Sequence, residues 1–313
     1  MSFALRPRYD WRLRTRSLTL GERTLIMGIL NVTPDSFSDG GHFYNAASAP
    51  ERALAHAMEM LDHGADLIDL GGESTRPNAT PLSPNEEQQR VLPVIAAILR
   101  ERPQTIISID TFHAATARLA IEAGAEIVND VSGHLWDIHM SETCAELGCG
   151  AILMHARGTP KEWKTLPALA HKEIMPWIVS ELAGRISAAT EAGTARDKIV
   201  IDPGIGFGKR MDENYPILAH LAELHRLNLP ILVGASRKGF LAHTLAQVPS
   251  LAAVHQGVPP PVNARLNATT AANVAAILAG AHILRVHDVQ AAAEAAAIAD
   301  RILDAVELSS PIE

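Results

Sequence analysis

"MGILNVTPDSFSDGG", residues 27–41, changes character halfway along. Met27-Gly28-Ile29-Leu30 reads as the end of a buried strand. Asn31 then opens a loop holding Pro34, two aspartates, two serines and two glycines. The same event recurs down the chain. Short apolar runs at 24–30, 66–70, 105–109, 126–128, 150–154, 198–201, 230–233 and 282–286 each give way to polar residues. The ends are Asn31; Asp69, then Glu73; Asp110; Asn129 with Asp130; His155; Asp202; Ser236; and Arg285 with His287 and Asp288.

Between the runs lie helix-compatible segments. "ERALAHAMEMLDHGA" carries Leu54, Met58 and Leu61 at helical spacing and stops at Gly64. "SPNEEQQRVLPVIAAILRERP" opens with Ser83, Pro84 and an acidic first turn, the signature of a capped helix. Later helices stop at Gly124, Gly148 and Gly193. Strands apolar along their whole length are buried on both faces, as parallel strands covered by helices must be. Eight such units close into a (β/α)8 TIM barrel. A doubly wound open sheet is the alternative, weakened by the absence of a G-x-G-x-x-G turn after the first strand. In a barrel the eight polar tips meet at one mouth; as turn formers alone, Asp and Asn would account for one or two of them.

Upstream, "SLTLGERTLIM" alternates apolar and polar residues on both sides of Gly21-Glu22, which predicts an N-terminal β-hairpin with a two-residue turn there. Residues 1–16, with Arg6, Arg8, Arg12, Arg14 and Arg16, read as a surface arm on a single 1–313 domain. The apolar fraction of 47% and charged fraction of 20% are those of a globular chain with ample core. A net charge of −8 argues against nucleic acid as a partner. The most apolar span, 268–284, is broken by Thr269, Thr270, Asn273, Gly280 and His282, so no membrane helix is expected. Cys144 and Cys149, the two cysteines, fit neither a redox pair nor a zinc half-site and suit a cytoplasmic protein with reduced thiols.

Several tips carry chemistry. Asp110, Asn129 and Asp202 suit a planar heterocycle whose amidine-like edge offers two adjacent N–H groups to one carboxylate. Helix capping is the competing role for Asp110-Thr111. "DPGIGFGK" (202–209) can lay backbone against a flat ligand, with Phe207 as a wall, but its spacing is not that of a P-loop. "GASRKG" (234–239) sets Ser236, Arg237 and Lys238 directly after a buried run, favouring an anionic or carbonyl-rich ligand. Arg285 and His287 stand two apart and share a strand face, at the usual phosphate position of such barrels. The fourteen histidines form no HExxH or Cys/His cluster, so a metal, if used, would be Mg²⁺ with Asn31 as a single protein ligand. The loops at 33–41 and 71–79 are candidates to close over a substrate.

With these residues in view the chain resembles the bacterial-type dihydropteroate synthase family. The motifs that carry the resemblance are "MGILNVTPDSFSDGG", "DLGGESTRP", "EEQQRVLPVI", "SIDT", "NDVSG", "LMHARGTP", "DPGIGFGK", "GASRKG", "ARLNAT" and "RVHDV", in the family's order from Met27 to Val289. The resemblance implies a barrel that joins p-aminobenzoate to 6-hydroxymethyl-7,8-dihydropterin diphosphate, giving 7,8-dihydropteroate and diphosphate in folate synthesis. It implies that Asp110, Asn129, Asp202 and Lys238 hold the pterin, and that Met154, Phe207, Gly234 and Val131 line its slot, valine standing where the family often has isoleucine. It implies Asn31 at Mg²⁺, Arg285 with His287 at the diphosphate, and Thr75 and Arg76 as substrate contacts. Phe37, Pro77 and Ser236 would frame p-aminobenzoate, and the family implies a homodimer. Ala268, where glycine is common, and the extended "HQGVPPPVNA" depart from the pattern and are expected at the surface or a subunit contact.

An arylamine is neutral near pH 7 and needs no strong base. The demanding step is departure of diphosphate, whose growing charge Mg²⁺, Arg285, His287 and Lys238 would stabilise. Asp110, and Asp39 from the first loop, would favour cationic character at the pterin methylene, so an SN1-like displacement is expected. A pterin-dependent methyltransferase barrel should lack "TPDSF", "ESTRP" and "SRK", all present here. A non-catalytic pterin-binding paralogue and a phosphate-handling barrel isomerase are the other readings. Only the enzyme would turn over p-aminobenzoate.

Overall fold

The structure is a computed structural model that describes Phe3 and residues 6–32, 49–73, 81–254 and 258–309. Two short strands, β1 (Tyr9–Arg12) and β2 (Ser17–Leu20), come first. Eight parallel strands follow: β3 (Leu25–Asn31), β4 (Leu67–Gly71), β5 (Ile106–Asp110), β6 (Ile127–Asp130), β7 (Gly150–Met154), β8 (Ile199–Asp202), β9 (Leu232–Val233) and β10 (Ile283–Val286). Their order is β8-β7-β6-β5-β4-β3-β10-β9, and a parallel bridge from Ile201 to Ile231 joins the two ends. Ile201 N–H donates to the Pro230 carbonyl at 3.0 Å at that seam. The sheet is thus the expected (β/α)8 barrel, each run within a few residues of its expected place.

The helices are α1 (Ala49–Asp62), α2 (Pro84–Glu101), α3 (Ala114–Glu122), α4 (Met140–Leu147), α5 (His171–Glu191), α6 (Tyr215–Ala219), α7 (Gly239–Gln247), α8 (Pro249–Val254), α9 (Leu266–Leu278) and α10 (Val289–Ser309). Ser83 caps α2 through a reciprocal pair with Glu86, and Gly148 ends α4 in the left-handed region.

Side chains alternate in direction along each strand, and the two faces fill two separate cores. Ile26, Leu30, Ile68, Leu70, Ile107, Ile109, Val128, Leu153, Val233 and Leu284 pack outward against the helices. Leu25, Met27, Leu67, Ile106, Ile127, Ile152, Val200, Leu232 and Ile283 pack inward on one another. Continuing the inward parity toward the C-terminal ends gives Asn31, Asp69, Asp110, Asn129, Met154, Asp202, Gly234 and Arg285. The bottom of the cylinder is thus hydrocarbon and its mouth is polar.

An N-terminal hairpin is present, but its turn is not at Gly21-Glu22. β1 pairs antiparallel with β2, Tyr9 opposite Leu20 and Arg12 opposite Ser17, and Leu13 N–H donates to the Arg16 carbonyl at 2.8 Å across the turn. β3 could not serve as β2's partner because β4 and β10 occupy both its edges. Gly21, at φ +102°, instead passes beneath Pro7, whose carbonyl oxygen would lie 2.6 Å from any Cβ there. The segment read as a surface arm therefore holds a strand. Trp11, Leu13 and Leu20 enter the inward core and plug the bottom of the barrel, and Trp11 Nε1 donates to the Lys198 carbonyl at 2.8 Å. Arg6 bonds Asp300 at 2.7 Å, which ties this plug to the last helix.

Candidate active site

Asp69, the second inward residue of β4, is fully buried and organises the mouth. Its Oδ2 accepts from Arg285 Nε at 2.5 Å and from Asn129 Nδ2 at 3.0 Å, while Oδ1 has no hydrogen bond among the described residues. Arg285 Nη2 reaches on to Asp110 Oδ2 at 2.5 Å. One guanidinium thus links strands β4, β5 and β10 across the barrel axis. Gly71 keeps the neighbouring space open: a Cβ there would stand 3.5 Å from both Asn31 Oδ1 and Asp110 Cβ. The amide of β3 and the carboxylate of β5 therefore close over one glycine.

The charges are unevenly balanced. Burial pushes the Asp110 carboxyl up to about 7, with Arg285 opposing and Asp69, Glu87 and Asp130 adding to the rise. Burial opposes the Arg285 charge, but Asp69 and Asp110 outweigh it and push its pKa up. Asp202 is raised by burial against the pull of Gly204 N–H, Lys238, Lys209 and Arg285. Lys238 is lowered to about 7 by burial, despite Asp202.

Beside this acidic floor lies an apolar wall. Val131, Met154 and Ala156 cluster with Phe112, Trp136 and Phe207. Lys238 Nζ sits 4.1 Å from the centre of the Phe207 ring and donates to the Ile205 carbonyl. The loop carrying Phe207 depends on Gly204, at φ +67°, where a Cβ would fall 1.8 Å from the His155 carbonyl oxygen. Lys209 is not free to meet an anion. Its buried Nζ donates to the carbonyls of His155 at 2.9 Å, Pro203 at 2.8 Å and Gly204 at 2.7 Å, stapling the loop to the end of β7.

The turn after β9 separates its two cations. Arg237, a non-glycine at φ +58°, is bound in bidentate fashion by Asp288, at 2.9 and 2.5 Å. Its N–H donates to Thr269 Oγ1 at 3.0 Å, and Arg265 Nη1 donates to its carbonyl at 2.9 Å. Lys238 is left to face Asp202 and Phe207. Ser236 Oγ lies 3.0 Å from His287 Nδ1 and accepts from His287 N–H at 3.2 Å. Gly234 packs on Arg285, whose Cβ would be 3.8 Å from a Cβ at that position.

Asn31, Asp110, Asn129, Val131, Met154, Asp202, Phe207, Gly234, Ser236, Lys238, Arg285 and His287 are thus all carried by the C-terminal ends of the barrel strands and the turns that follow. Phe37, Asp39, Thr75, Arg76 and Pro77 lie outside the described residues. Four polar strand-end residues turn away from the mouth, the first being Glu73, whose Oε2 lies 3.9 Å from His113 Nδ1. Asp130 accepts from Ser132 and His134 N–H at 2.7 and 2.9 Å. His155 stacks edge-on against Trp177, and Asp288 holds Arg237. Sequence reasoning did not assign Asp69 a role, nor Phe112, Trp136 and Thr269. Strand parity would have found Asp69, since it shares a face with Leu67 and Gly71. Asn31, a hard amide oxygen that shares the space over Gly71 with Asp110, is a donor of the kind that would suit Mg²⁺.

Residues 27–287 match the family described as "Pterin binding enzyme". The dihydropteroate synthase of Escherichia coli (strain K12) is 41% identical over 282 residues, 90% of this chain and 93% of that one. A Yersinia pestis dihydropteroate synthase solved with a sulfonamide drug is 40% identical, with a TM-score of 0.81 over 96% of this chain and 100% of that one. A Xanthomonas albilineans dihydropteroate synthase solved with 4-aminobenzoic acid is 36% identical, with a TM-score of 0.80 over 98% and 100%.

Proposed function

Since the chain belongs to the dihydropteroate synthase family of pterin-binding enzymes, we propose that it condenses 6-hydroxymethyl-7,8-dihydropterin diphosphate with p-aminobenzoate, releasing diphosphate. The observation that carries this reading is the joining of Asp69, Asp110, Asn129 and Arg285 into one hydrogen-bonded group at the barrel mouth, beside an apolar slot.

Asp202 and Asp110 accept from the N–H groups of the pterin, and Lys238 donates to its carbonyl edge. Asn129, with Nδ2 committed to Asp69, keeps Oδ1 as an acceptor. Val131, Met154, Phe207 and Gly234 bound the flat ring. Breaking the methylene–oxygen bond sends its electron pair to the diphosphate, and Arg285 with His287 holds that charge at fixed positions. The cost of arranging those donors is met in folding, because Asp69 and Ser236 orient them before substrate arrives. The methylene left behind is cationic, and an ionised Asp110 stabilises it. The arylamine nitrogen then forms the new carbon–nitrogen bond and loses a proton to water. Ser236, Phe37 and Pro77 frame p-aminobenzoate, Thr75 and Arg76 contact substrate, and Asp39 assists from the first loop. Mg²⁺ held at Asn31 would supply further positive charge to the diphosphate.

A homodimer is the proposed assembly. Ile298 and Ile302, one turn apart on α10, are 67% and 40% exposed, as an interface face would be in a lone chain, and sedimentation would count the subunits.

A diphosphate-release assay tests the reaction. Pterin diphosphate with p-aminobenzoate should give diphosphate and 7,8-dihydropteroate in equal amounts. Pterin binding without turnover would mark a non-catalytic relative, and no pterin binding would overturn the reading altogether.

A further inference from the structure

Behind the mouth, where the end of β4, the first turn of α2 and the entry to α3 meet, Glu73, Glu87 and His113 converge. Their side chains are 8%, 1% and 16% exposed, so two carboxylates and an imidazole share a largely dry space. His113 Nδ1 lies 3.1 Å from Glu87 Oε2 and 3.9 Å from Glu73 Oε2, and the three donor atoms all fall within 4.8 Å of one another. Thr111 orients the group: its hydroxyl donates to Glu87 Oε2 at 2.8 Å and accepts from His113 N–H at 3.1 Å. Glu73 is held by Leu82 N–H, which donates to Oε1 at 3.3 Å. Glu73 Oε2, though buried, receives no hydrogen bond among the described residues.

A buried carboxylate oxygen without a donor is costly, and nearby Glu87 makes this one costlier. A metal ion bound tetrahedrally at about 2.1 Å from each donor would separate neighbouring donors by about 3.4 Å. The two measured separations from His113 bracket that value. One imidazole nitrogen with two carboxylate oxygens suits a borderline transition ion better than Mg²⁺, and Thr111 is the kind of outer partner that fixes a ligand's direction. We propose that Glu73, Glu87 and His113 bind one divalent transition-metal ion of the zinc class, with water in the fourth position. The ion pins β4, α2 and the start of α3 together at the residue from which the 74–80 segment departs. It is separate from the Mg²⁺ assigned to Asn31.

Full-length protein, stripped with chelator and free of substrate, would be dialysed against Zn²⁺ in excess Mg²⁺. Wild type should retain one equivalent more than His113→Ala or His113→Lys, and Co²⁺ should give the visible absorption of a tetrahedral N/O site. His113→Lys keeps the fold testable, because an ammonium answers both carboxylates without metal. Zn²⁺ should raise the Tm of wild type by about 2–5 °C and leave that of His113→Lys unmoved. Equal zinc content in wild type and both variants, with no zinc-induced rise in the wild-type Tm, would overturn the site and leave a protonated His113 clamped between two glutamates.

Discussion

Asp110 and Lys238 are half-buried groups of the mouth whose ionisations move toward each other. Burial raises one to about 7 and lowers the other to about 7. The reaction needs Asp110 as carboxylate, present above its pKa, and Lys238 as ammonium, present below its own. The competent form of the free enzyme therefore exists only around neutrality, and kcat/KM should be a narrow bell centred near pH 7. Each limb should fall about tenfold per pH unit once past its pKa. Replacing the ammonium by a guanidinium, which stays charged to far higher pH, separates the two limbs. In Lys238→Arg the acid limb should stay while the alkaline limb disappears up to about pH 9. An unchanged alkaline limb in that variant would assign it to another group. Asn129 and Asp130 show at the same scale why the site was only partly legible. Both are polar strand-end residues, yet pleating sends one into the mouth and the other into its own loop. The sequence marks the strand end; only the parity of the inward Ile127 says which neighbour faces substrate.

The turn between β9 and α7 was legible as a basic stretch, "SRK", but not as a supported element. Arg237 occupies a left-handed backbone position that a side chain makes unfavourable, so its neighbours must hold it there. Thr269 and Arg265 come from the start of α9 and Asp288 from the end of β10, contacts across 28 to 51 residues of chain. No local pattern announces them. The "ARLNAT" motif, of which Ala268 alone was expected at the surface or a subunit contact, thus reaches the polar ring through Thr269. Thr269→Val removes the acceptor and leaves the half-buried Arg237 N–H unpaired, a loss of about 1 kcal/mol. Because the turn carries Ser236 and Lys238, kcat/KM should also fall by about tenfold, a displacement effect. Denaturant midpoints and steady-state kinetics on one preparation measure both. A stability loss with unaltered kinetics would mean that Asp288 alone positions the turn.

Across the whole molecule, chemistry and closure sit at opposite ends of one cylinder. The eight apolar runs made the cylinder readable, because parallel strands buried on both faces leave long hydrocarbon stretches in sequence. The floor was not readable. "RPRYDWRLRTRS" looks like a charged tail, yet its Trp11 is 1% exposed and fills the barrel beneath Met27 and Ile152. Arg14 and Arg16 near it reach carbonyls, Arg16 that of Gln104 at 3.0 Å, and Arg8 and Arg12 pair with Glu22 and Asp197, so composition hides a strand whose alternate residues are buried. Barrel bottoms contribute stability and mouths contribute activity, and this division can be measured here. Trp11→Ala empties the plug and should cost about 3–5 kcal/mol. Trp11→Phe, which keeps most of the ring but loses the bond to Lys198, should cost less and remain folded if the alanine variant does not. Below its unfolding transition either folded variant should keep kcat/KM within about twofold of wild type, since each ligand-facing group lies at the other end. A large fall in kcat/KM with little change in the urea midpoint would show that the floor sets the geometry of the mouth, and would join the two ends into one mechanical unit.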